Sequence, residues 1–127
     1  MIKWFKTDSR NKNCIATIYE SNITLNKFAC DFISSAYTVM LGLDYEKKLI
    51  LIKPLSKDLA TRGDIPKSSQ YTITIRSSYG RVSNVDFIKE IKSILNITSF
   101  KDNPKKFGVK WLEDEEILEI DLTREVL

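Results

Sequence analysis

Residues 71–95 read YTITIRSSYGRVSNVDFIKEIKSIL, and two periodicities meet inside that stretch. Residues 71–75 alternate in the period of two that a half-buried strand requires. Ser77, Ser78 and Gly80 then supply turn chemistry, with Arg76 and Arg81 bracketing the turn. Ser83 and Asp86 make an S-x-x-D capping pattern ahead of a helix expected from about residue 84 to residue 95. Phe87, Ile88, Ile91, Ile94 and Leu95 fall on one face of that helix, at the spacing of an amphipathic element docked on a core.

Downstream, residues 107–112 and 117–122 are expected to form a strand pair across the acidic turn Glu113-Asp114-Glu115-Glu116. Val109 and Trp111 alternate on its buried side, as do Leu118, Ile120 and Leu122. Upstream, the same order of elements occurs once before. Residues 14–19 are β-rich, Glu20-Ser21-Asn22 interrupts them, and Ile23-Thr24-Leu25 resumes. Asn26 is placed to cap a helix over residues 27–35, with Phe28, Phe32 and Ala36 at i, i+4 and i+8. Strands over 37–41 and 49–52 follow, joined by the polar turn of residues 44–48 and closed by Pro54.

Laid over one another, the two runs form an internal repeat. A shift of 59 places Ile23 on Val82, Phe28 on Phe87 and Asp31 on Glu90; a shift of 70 places Tyr37 on Phe107, Val39 on Val109 and Asp44 on Asp114. A half of some 50 residues buries too little surface to stand alone, so two halves packed on each other are the expected use of such a repeat. The fold expected is therefore α+β. Two ββαββ repeats, residues 14–55 and 71–127, form one pseudo-twofold barrel-like domain with short packed helices. Residues 1–13 read as a polar, basic arm whose Trp4 and Phe5 tuck against the body, and residues 56–70 read as the linker between halves.

Composition bounds the chemistry. The 127 residues include no histidine, which removes Ser-His-Asp triads, His-ligated metals and imidazole proton shuttles. Cys14 and Cys30 are the only cysteines and lie sixteen positions apart, a spacing that fits two reduced thiols rather than a zinc set. No stretch approaches the roughly 20 apolar residues of a membrane span, and the N-terminus lacks a long apolar leader, so a cytoplasmic location is the expectation. The net charge is +3. Residues 1–63 carry ten basic and six acidic side chains and residues 64–127 ten and eleven, so an anionic partner is expected to prefer the first half.

The order strand, Gly80-Arg81-Val82, helix and terminal hairpin resembles the swapped-hairpin domain of AbrB-type bacterial transition-state regulators. Two copies in one chain are similar to the MraZ arrangement, where the barrel closes within one polypeptide. The resemblance covers roughly residues 15–55 and 71–122. Only the second half keeps Gly-Arg; Ser21 and Asn22 stand there in the first, and neither half has the proline that the family places before its helix. The resemblance implies a small non-enzymatic regulator of transcription that binds double-stranded DNA, without a cofactor or metal, as a monomer or homodimer.

The residues suited to that role are Arg76, Arg81, Lys27, Lys53 and Arg62, with Lys67 beside them, because Lys and Arg neutralise phosphates. Asn22, Asn26 and Asn84 supply amides that read adenine edges if a turn enters the major groove. Tyr45 and Tyr79 fall in expected turns, where a ring is partly exposed and can stack. Asp44 with Glu46 and the run 113–116 are the only carboxylate clusters, and both sit on hairpin tips open to solvent, which is poor placement for acid–base catalysis. A second function class stays open, an interaction or adaptor protein of phage or mobile-element type that uses the barrel to bind a protein partner.

Overall fold

Alternation of apolar and polar residues, repeated in eight short segments, builds one antiparallel sheet in the computed structural model, which describes residues 2 and 13–127. The expected arm therefore lies almost wholly outside the described residues. The strands are β1 (Ile15–Ile18), β2 (Asn22–Asn26), β3 (Thr38–Asp44), β4 (Leu49–Leu55), β5 (Ile73–Ile75), β6 (Tyr79–Ser83), β7 (Lys105–Leu112) and β8 (Ile117–Glu125). Three α-helices interrupt them: α1 (Lys27–Asp31), α2 (Lys57–Thr61) and α3 (Val85–Leu95).

The strands lie in the order β3-β4-β8-β7-β1-β2-β6-β5. The two edges meet at one point, where Val39 N donates to Tyr71 O at 2.9 Å and Tyr71 N to Val39 O at 2.8 Å, so the sheet is a nearly closed barrel. Inward positions of facing strands fill it: Ala16, Ile18, Ile23, Leu25, Ile50, Ile52, Leu118 and Ile120 are each at most 1% exposed. No polar or charged residue is buried among the described residues, so apolar burial is the main term holding the sheet closed. No described helix is long and apolar enough to cross a membrane.

Helices α1 and α3, which follow the β1–β2 and β5–β6 hairpins, start on an asparagine. Asn26 Oδ1 accepts from Ala29 N at 3.1 Å and from Ile15 N at 3.2 Å, while its amide nitrogen donates to Asn13 O at 2.7 Å. Asn84 Oδ1 accepts from Phe87 N at 2.9 Å, so Asn84 rather than Ser83 is the cap of α3. Helix α3 ends at Asn96 in the left-handed region, φ 56°, and buries Ile88 and Ile91 as its pattern requires.

Helix α1 departs from its pattern. It stops at Asp31 and continues in tight turns to Ala36, and the residues it buries are Ala29, Cys30 and Ile33. Phe28 is 39% exposed. Small side chains on the inner face let α1 approach β6 closely: a Cβ added to Gly80 would lie 2.7 Å from Cys30 Sγ. Gly80 is thus a strand residue required for packing, not the turn glycine expected. Cys30 is buried, Cys14 is half-buried, and both are free thiols. Pro54 lies inside β4, opposite Val39, beyond the last residue of β4 that pairs with β8, so its missing N–H breaks no ladder bond on that side.

The connection 56–70 is not structureless. Ser56 caps α2 by accepting from Leu59 N, and a single 3-10 turn spans Lys67–Ser69. Gln70 ties this segment down, its amide nitrogen donating to Ala60 O and Ile65 O at 3.0 and 3.1 Å and its oxygen accepting from Thr38 Oγ1 at 2.8 Å.

Candidate nucleic-acid interface

Sheet order, not position along the chain, sorts the charges. The five contiguous strands β7, β1, β2, β6 and β5 contain no Asp or Glu and carry Lys105, Lys106, Lys110 and Arg81. The other three hold Asp44, Glu119, Asp121 and Glu125 against Lys53 and Arg124. The basic wall draws strands from both halves of the chain, so the halves do not divide the charge as their composition implies.

Arg81 stands on β6 of this wall, between β2 and β5. It alternates with buried Gly80 and Val82 and therefore points outward. Cross-strand pairing then lines up one row, Lys106, Thr17, Thr24, Arg81 and Thr74, over β7-β1-β2-β6-β5. The Arg81 guanidinium lies 5.0 Å from the centre of the Tyr79 ring, and its Nε donates to Thr24 Oγ1 at 3.5 Å, a long contact. Thr24 Oγ1 donates onward to Asn22 Oδ1 at 2.8 Å. Ring and hydroxyl hold the guanidinium along the wall and leave its two terminal nitrogens without a carboxylate partner among the described residues.

Arg76 joins this cluster from the β5–β6 turn, where its backbone N donates to Tyr79 O at 2.8 Å. Lys27 directly follows Asn26, the residue opposite Tyr79, and is exposed. Asn22, Lys27, Arg76 and Arg81 are thus gathered on one side. Lys53 is not among them: β4 lies on the opposite wall, and Lys53 Nζ donates to Glu115 O at 3.0 Å. Arg62 ends α2 and pairs with Asp64 at 3.9 Å. Asn26 and Asn84 serve as helix caps, and Tyr79 is a half-buried strand residue. Tyr45, at the β3–β4 tip, is 58% exposed and donates to Glu90.

Lys106, Thr17, Thr24 and Thr74 escape a reading of the sequence because their adjacency depends on which strands pair. The one local signal is the absence of acidic residues from five strand segments. The carboxylates of residues 113–116 are exposed on their hairpin tip, and no group of three or more Cys, Asp or Glu side chains among the described residues is arranged to hold a metal ion. Comparison with protein-family models, with curated proteins and with solved structures finds no match.

Proposed function

We propose that the protein is a small non-enzymatic DNA-binding regulator of the AbrB and MraZ type, built from two ββαββ repeats and contacting duplex DNA through the β7-β1-β2-β6-β5 wall. The observation that carries the reading is a wall of strands free of Asp and Glu on which Arg81 has no carboxylate partner among the described residues. Phosphate contacts need outward cations without competing carboxylates, and hydroxyl and amide groups beside them supply neutral donors to the same backbone.

The repeat is supported by topology. Exchanging β1–β4 with β5–β8 leaves the cyclic strand order unchanged, counting the Val39–Tyr71 contact as the closing step. Matching turns support it too. Tyr19 N donates to Asn22 O in one hairpin and Arg76 N to Tyr79 O in the other, a shift of 57 rather than 59. Lys48 and Glu116 both have positive φ, 59° and 54°, at the last position of corresponding tips, a shift of 68 rather than 70. With these shifts the pseudo-twofold axis passes between Thr24 and Arg81 on one wall and between Leu51 and Glu119 on the other. A wall that carries such an axis suits a duplex, whose two strands are themselves related by local dyads.

The test is fluorescence anisotropy of random-sequence duplex against salt. Binding in the non-specific range of about 10⁻⁴–10⁻⁶ M is expected, and Lys27, Arg76, Arg81 and Lys106 together set a log–log salt slope of about −3 to −4. Arg76→Ala with Arg81→Ala should flatten that slope by about 2. No binding at low salt up to tens of micromolar, or an unchanged slope in the double variant, overturns the reading.

A further inference from the structure

At the end of the barrel where α1 sits, Phe32 and Trp111 stack with ring centres 5.4 Å apart and planes 13° from parallel. Both rings are half-buried, and the pair forms a ridge with a hollow on each side. The first hollow, of about 380 Å³, is closed by Cys14, Val109, Lys110 and Glu113. The second, of about 310 Å³, is closed by Ala36, Leu55, Leu59 and Glu116. These volumes lie at the lower end of the ~300–1,000 Å³ of ligand-binding pockets. Each hollow thus combines an aromatic wall, apolar neighbours and one glutamate from the β7–β8 turn; Lys110 also lines the first, against four carboxylates in residues 113–116. Asp114 and Glu115 complete that turn, and all four carboxylate residues are exposed.

Independently of the DNA-binding wall, we infer that this double hollow docks a peptide segment carrying two neighbouring apolar or aromatic side chains bracketed by Lys or Arg. Charge complementarity selects that occupant. The anionic turn repels nucleic acid and acidic peptides, and it gives cationic side chains a partner beside surface that excludes water on one face. Phe32 and Trp111 line both hollows, so two neighbouring anchors, one in each, pack against the same pair of rings. Trp111 lines both hollows, so a cation beside either anchor has an aromatic ring at hand, which favours Lys or Arg further. The chain's own sequence contains this pattern at Lys3-Trp4-Phe5-Lys6, which supplies the probe.

The experiment titrates the full chain into a fluorescein-labelled, end-blocked Lys-Trp-Phe-Lys peptide and follows anisotropy. It is repeated with a Trp4→Ser, Phe5→Ser variant, which removes the probe's sequence from the chain itself. Saturable binding to either protein is expected. Glu113→Gln with Glu116→Gln, at two exposed positions that leave the core intact, should weaken it at least tenfold. Three results overturn the inference: no binding to either protein, a Glu-Trp-Phe-Glu peptide binding as well as the basic one, or unchanged affinity in the double glutamine variant.

Discussion

A single methyl group added at residue 80 tests how α1 is seated on the barrel. In Gly80→Ala the new Cβ would sit 2.7 Å from Cys30 Sγ, 3.5 Å from Cys30 Cβ and 3.7 Å from Thr74 O. The last two distances are ordinary contacts. The first is about 1 Å too short for carbon against sulfur, and Cys30, 3% exposed, is enclosed by core. Either the thiol leaves its rotamer or α1 lifts from β6, and overpacking of this kind costs about 1–3 kcal/mol. Replacing glycine in a strand returns about 0.5–1 kcal/mol of backbone entropy, so the net loss is roughly 0–2.5 kcal/mol, centred near 1 kcal/mol. At about 4 °C per kcal/mol, thermal unfolding followed by far-UV circular dichroism should show Tm falling by about 5 °C and by no more than about 10 °C. Cys30→Ala alone removes the sulfur and leaves a small void, costing about 1 kcal/mol. In the double variant the new methyl occupies that void, so Gly80→Ala should be neutral or stabilising in the Cys30→Ala background, a coupling of about 1–3 kcal/mol. Equal losses from Gly80→Ala in both backgrounds would refute the contact as the reason for the glycine.

Three other perturbations follow from contacts between distant segments. Glu20 accepts from Lys92 Nζ, Ser99 Oγ and Phe100 N, which hold its carboxyl at about 2 against an ordinary 4.5. A depressed carboxylate stabilises fully above the unfolded value and less as pH falls through the folded one. Tm of the wild type should therefore drop between about pH 4.5 and pH 2 by more than that of Glu20→Gln, and equal acid profiles would remove Glu20 from the account. Gln70→Ala abandons the bonds to Thr38, Ala60 and Ile65 and should cost about 1–3 kcal/mol in urea unfolding, with faster proteolytic cleavage within residues 56–70. Asn84→Ala should cost about 1 kcal/mol as a lost cap. Asn26→Ala should cost about twice that, because the same side chain also bonds Ile15 N and Asn13 O, and comparable losses at the two sites would show those extra bonds to be idle.

Much of the fold was legible because strand and helix patterns are local. Alternation in residues 117–122 places Leu118, Ile120 and Leu122 inward, and all three are buried. Ile88 and Ile91 follow from the helical period of residues 84–95. The same logic misjudged part of residues 27–36: Phe32 and Ala36 pack against the core as their spacing implies, but Phe28 is exposed, and close approach to Gly80 seats the small Ala29 and Cys30 inward. Of the candidate site, Asn22, Lys27, Arg76 and Arg81 come together, while Lys53 and Arg62 face other surfaces. Charge alone could not separate these groups, because a cation reads the same on any strand.

By itself the sequence determined what is settled within a few residues: most of the short strands, a helix begun by Asn26 and another starting near residue 84, tips within residues 44–48 and 113–116, and no imidazole chemistry. Those features depend on backbone sterics and on side-chain periods of 2 and 3.6, which act over one or two turns of chain. Only the tertiary structure decided which strands share an edge, and with that the row from Lys106 to Thr74, the division of acidic from basic walls and the partner of Gly80. A strand edge offers the same amide and carbonyl groups to any other edge, so pairing is set by which arrangement buries all the apolar faces at once.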